Sequence, residues 1–104
     1  MPIVPEFFIG IDGFQWDEGN ADKNWHLHQV RQAEAEQMFL NRPLLVLPDP
    51  AHSAQEARYL ALGRTDGGRL LMAAFTLRGS TLRVISVRTM SRRERGVYAK
   101  AEAR

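Results

Sequence analysis

The chain of 104 residues contains no cysteine. Disulfides and thiolate metal sites are excluded, which leaves Asp, Glu and His as the available metal ligands. No stretch approaches the roughly 20 apolar residues of a helical membrane span, and the opening Met1 to Glu6 has neither a basic start nor an apolar run. The expected location is cytoplasmic, with no membrane partner. Internal repeats, low-complexity tracts and linker-like stretches are also missing, so residues 1–104 are expected to form a single domain around one modest core. There is no glycine-rich phosphate loop and no arrangement suggesting a serine triad. His26 and His28 have a spacing that converges on a metal only from a strand; on or after a helix they diverge, so neither a metal nor another cofactor is expected.

What the chain does have is unevenly distributed. Hydrophobic residues make up 44% and charged residues 25%, as in ordinary globular proteins. Residues 1–77 carry six Lys/Arg against ten Asp/Glu, whereas residues 78–104 carry eight against two. A basic segment of this kind attracts polyanions, or is simply a solvated helix face.

Short-range signals outline an α+β chain. A short strand is expected near Gly13–Trp16. Asp17 can cap a helix through Trp25, and a second helix covers Glu34–Leu40, ended by Pro43, which disfavours helical geometry in the residue before it. Leu44–Leu47 has strand composition. Arg58–Gly63, Arg69–Leu77 and Thr81–Arg88 alternate as strands, separated by Asp66-Gly67-Gly68 and Arg78-Gly79-Ser80, both short enough for hairpins in an antiparallel meander. Ser91 with Glu94 matches a capping box, so a basic C-terminal helix is expected from Arg92.

The run Trp16-Asp17-Glu18-Gly19-Asn20-Ala21-Asp22-Lys23-Asn24-Trp25, then His28, Val30 and Ala33–Phe39, resembles the N-terminal half of BrnT-family toxins. The likeness continues through Asp49, His52-Ser53, Glu56-x-Arg58, Ala61-Leu62-Gly63, Phe75-Thr76-x-Arg78, Arg83-Val84-Ile85-Ser86-x-Arg88, Arg93-Glu94-Arg95 and Tyr98, in the family's order. The resemblance implies a compact RelE-like fold and a type II toxin that cleaves RNA without a required metal, inhibiting translation and growth. It also implies a BrnA-like antitoxin partner, through which any contact with DNA is indirect. The family usually has Lys and Gly on either side of the histidine, where this chain has Leu27 and Gln29. Val87 stands where Ala is frequent. The alternative is an RNA-binding or protein-binding module of the same fold with impaired catalysis.

Metal-free RNA cleavage needs a base for the 2′-hydroxyl, an acid for the leaving oxygen and cations for the phosphate. His28, His52 and Glu56 are the acid–base candidates, the last if partial burial raises its pKa. Arg58 and Arg88 join them as catalytic candidates because guanidinium forks match phosphate oxygens. Lys23, Arg83, Arg92, Arg93, Arg95 and Tyr98 are candidates for holding RNA, although His28 can equally cap the first helix and Tyr98 dock the last. Trp16 and Trp25 are read as core residues. Strand alternation puts Glu56 and Arg58 on one face, as a site or as a surface ion pair. It puts Arg83 and Arg88 on opposite faces unless a bulge intervenes or Arg88 leaves the strand.

Overall fold

Alternation in the second half of the chain lays down the sheet. In the computed structural model, which describes residues 13–16, 28–52 and 56–103, the order is β1 (Gly13–Gln15), α1 (Gln32–Leu40), β2 (Leu45–Pro48), a 3-10 turn (Pro50–His52), β3 (Arg58–Arg64), β4 (Leu70–Arg78), β5 (Thr81–Thr89) and α2 (Arg92–Glu102). Strands β3 to β5 form the expected antiparallel meander, and β2 extends it by pairing antiparallel with β3. Gly68 and Gly79 turn its last two corners at φ +88° and +61°, a backbone region that glycine enters without a Cβ clash. β1 changes the sheet type: it pairs parallel with β5, giving a mixed five-stranded sheet in the order β1-β5-β4-β3-β2. The helix expected over Asp17–Trp25 lies outside the described residues.

The pleat sends alternate side chains to opposite faces. On one face Ala61, Leu71, Ala73, Phe75, Leu82, Val84 and Val87 form a core with Val30 and with Ala35, Met38 and Phe39 of α1. Phe39 meets Phe75 edge-on at 5.2 Å, and Tyr59 stacks on Phe75 at 5.5 Å. α1 approaches so closely that a Cβ at Gly63 would stand 2.6 Å from the Met38 carbonyl oxygen. Arg69 pins the entry to this helix, donating to the carbonyls of Gln29 and His28 and to the Glu34 carboxylate.

On the opposite face α2 covers only one end of the sheet. Leu45, Leu62, Leu70 and Met72 meet Met90 and Tyr98 there. Ser91 and Glu94 form the expected capping box. Tyr98 is the one buried residue of this helix, and its hydroxyl donates to the Pro43 carbonyl at 2.6 Å.

Candidate functional site

The register of β5 decides which arginines share a face. Arg83 lies opposite Thr76, Val84 opposite Phe75, Ser86 opposite Ala74 and Arg88 opposite Met72, so Ile85 is the extra residue of a β-bulge. The bulge restores the phase that an odd separation would break. Arg83 and Arg88 therefore both lie on the face turned away from α1. Arg58 lies opposite Thr76 from the other side, which makes Arg58, Thr76 and Arg83 one row across three strands. Arg88 sits beyond this row by the length of Met72 to Thr76, about 13 Å at strand rise.

The row is braced from several sides. Thr76 is buried, and its hydroxyl donates to the Ala57 carbonyl at 2.7 Å, tethering the segment that carries Glu56 and Arg58. Arg58 pairs with Asp49 at 3.9 Å, while the Asp49 backbone N–H donates to the Arg58 carbonyl. Glu56, just ahead of β3, departs from expectation in its partner: its carboxylate accepts from Arg78, Nε to Oε2 at 3.0 Å, instead of joining Arg58. Its pKa is lowered, not raised: the hydrogen bond from Arg78 dominates, slight desolvation opposes it, and the charges of Arg78 and Arg83 add to the lowering. Glu56 is thus a carboxylate at neutral pH.

Arg88 is held in a different way. Its Nη1 donates to Glu94 Oε1 at 2.8 Å and to the Thr89 carbonyl, and Nη2 donates to Glu94 Oε2 at 2.9 Å. A guanidinium has five N–H donors, and the two left over, on Nε and Nη2, lie along a single edge. The side chain is 37% exposed, so this edge can meet a phosphate while the carboxylate keeps its grip. The Arg88 hydrogen bonds hold the Glu94 carboxyl below its ordinary range against partial desolvation, helped by the backbone N–H of Ser91.

The remaining candidates are dispersed. His52 ends the 3-10 turn after β2, at the Arg58 end of the sheet, and its side chain lies outside the described residues. His28 is tied through its carbonyl to Arg69 beside α1, away from the arginine row. Lys23 and Trp25 lie outside the described residues. Arg92, Arg93 and Arg95 are exposed on α2, with Arg95 donating to the Met90 carbonyl. Tyr98 is not a surface residue for RNA: burial and its hydroxyl bond make it the anchor of the helix. Trp16 packs against the core and donates to Glu36 at 2.7 Å. Among the described residues no three of His, Asp and Glu gather as a metal-ligand set. Thr76, Arg78 and Glu94 were not picked out as site residues. The two-residue step from Thr76 to Arg78 was the available signal for that pair, whereas the capping box hid the second role of Glu94.

The family profile described as the ribonuclease toxin, BrnT, of type II toxin–antitoxin systems matches residues 16–94. The chain belongs to the BrnT family. The crystal structure of the Brucella abortus ribonuclease toxin BrnT superposes with a TM-score of 0.59 at 25% identity, over 77% of this chain and 97% of that one. No curated protein matches. The likeness covers the α+β architecture, and membership in a BrnT toxin family brings an antitoxin partner with it. Among the described residues no helix is long and apolar enough to cross a membrane.

Proposed function

We propose that this BrnT-family chain is a metal-independent endoribonuclease acting in the cytoplasm as a single domain of RelE-like type, and that its cleavage of RNA stops translation and growth. The observation that carries this reading is the bulge at Ile85, because it puts Arg88 on the face that also carries Arg83 and, across β4, Arg58. Guanidinium groups there neutralise the phosphate in the role a metal takes elsewhere. Arg58 and Arg83 take one phosphate of the strand, and the open edge of Arg88 takes another. Arg92, Arg93 and Arg95 extend the positive field along which RNA approaches.

The 2′-oxygen attacks phosphorus, its proton passes to a base, and the bond to the 5′-oxygen breaks as an acid protonates that oxygen. Glu56, ionised at neutral pH and ahead of the Arg58 row, is the candidate base. His52, at the same end of the sheet, is the candidate acid, since imidazolium donates near neutral pH. The test is cleavage of single-stranded RNA by the purified chain in excess EDTA, together with induced expression with and without its cognate antitoxin. Cleavage in EDTA and growth arrest relieved by the antitoxin are expected. Activity that disappears in EDTA and returns with magnesium overturns the metal-free mechanism, and intact RNA at full soluble expression overturns the enzyme.

A further inference from the structure

α2 is a lightly docked helix beside an unfilled groove. A groove of about 450 Å³ runs between it and the outer strands, walled by Leu45, Leu47, Leu60, Leu62 and Met72 on the sheet side and Val97 on the helix side. Leu47 and Val97 remain 40% and 47% exposed, against a core whose residues are almost fully covered. On the helix, Arg93, Val97 and Lys100 follow one another at the spacing of a single stripe. The helix's carboxylates are engaged elsewhere, Glu94 with Arg88 and Glu102 with Arg64, and no partner takes up Arg93 or Lys100 among the described residues. The groove therefore presents an aliphatic floor with a cation on each side of its exposed valine.

We propose that this groove seats an amphipathic segment of the antitoxin, with aliphatic side chains on the leucine floor and carboxylates set to meet Arg93 and Lys100. This rests on the toxin–antitoxin reading above. RNA is the poorer occupant: the floor is aliphatic, and the lining has no aromatic ring on which a base stacks. A second copy of the chain fits no better, because a twofold contact would oppose one basic helix to another. The groove ends at Ser91 and Glu94, the residues that aim Arg88. A segment lying there contacts the residues that aim Arg88, which links occupancy of the groove to the arginine face.

Leu47→Glu and Val97→Glu place a like charge against the incoming carboxylates at exposed positions. Each variant is expected to weaken antitoxin binding, measured by calorimetry with the cognate BrnA-like antitoxin, by at least about tenfold, equivalent to ~1.4 kcal/mol. Melting temperature and RNA cleavage by the free protein should stay as in the parent. If either Glu variant melts early, Val97→Ser tests the apolar contact without an added charge. Unchanged antitoxin binding overturns the proposal, as does weakened RNA binding with the antitoxin still held, or loss of a self-associated dimer in sedimentation. If the parent chain fails to cleave RNA yet the variants still lose the antitoxin, the docking site stands and the ribonuclease reading falls.

Discussion

The two faces of the sheet solve opposite problems. Towards α1, apolar side chains from β3, β4 and β5 fill the space against Met38 and Phe39, and Gly63 gives up its side chain so that the helix backbone can come close. On the far face the same strands present Arg58, Arg78, Arg83 and Arg88, each beside a carboxylate or a backbone acceptor, and a helix with a single buried residue covers one end. One face is packed for stability. The other holds charge in place at a modest cost in packing, and it carries both the proposed RNA site and the proposed docking groove.

This contrast predicts separable damage. Phe75→Ala removes the ring between Phe39 and Tyr59 and is expected to destabilise the fold by about 3–5 kcal/mol, read from urea unfolding. Any residual cleavage should fall only in proportion to the unfolded fraction. A loss below about 1 kcal/mol would show that the first face is not the structural one. Arg88→Ala and Arg58→Ala should do the reverse, lowering RNA cleavage by well over tenfold, or ~3 kcal/mol of transition-state stabilisation, while the melting temperature hardly moves. Arg88→Lys keeps the charge but cannot serve Glu94 and a phosphate along two edges, so it should recover only part of the rate. Full cleavage by both alanine variants would remove the arginine face from the chemistry.

The face packed for stability was the legible one. Alternation and turn residues located β3, β4, β5 and the Ser91 cap to within a residue or two, because period, glycine corners and capping boxes act over a few positions. The parallel partnership of β1 with β5 joins segments nearly seventy residues apart, and no local pattern encodes it. The charged face was half legible. Parity placed Arg83 and Arg88 apart, with a bulge as the stated exception, and Ile85 looks like any other strand residue until its neighbours on β4 are known. Glu56 was misjudged for the same reason: its nearest cation in sequence is Arg58, its nearest in space Arg78. Tyr98 sits in a basic stretch and looks available for RNA, but the carbonyl that takes its hydroxyl belongs to Pro43, 55 positions away.

The smallest effect tests whether stability and aim can be separated within the charged face, at the point where α2 meets Arg88. The Glu94 carboxylate accepts from both Nη atoms of Arg88 and from the Ser91 backbone N–H, so it aims an arginine and starts a helix at once. The Arg88 bond is the main reason its pKa lies below the ordinary carboxylate value of 4.5. A group whose native pKa is depressed binds protons more readily when unfolded. Its contribution is therefore complete above the ordinary value and is lost as pH falls through the native one. Glu94→Gln can still accept from Ser91 but has no charge to titrate, and should cost about 1 kcal/mol or less at pH 7. The melting temperature of the parent should drop faster than that of the variant on acidification below 4.5, so that the two curves converge. Curves that stay parallel would mean that the pair adds nothing to stability, leaving Glu94 as a positioning residue alone. In that case Glu94→Gln should still lower kcat with KM little changed, since a guanidinium that is present but loosely aimed can bind phosphate without meeting the transition state well.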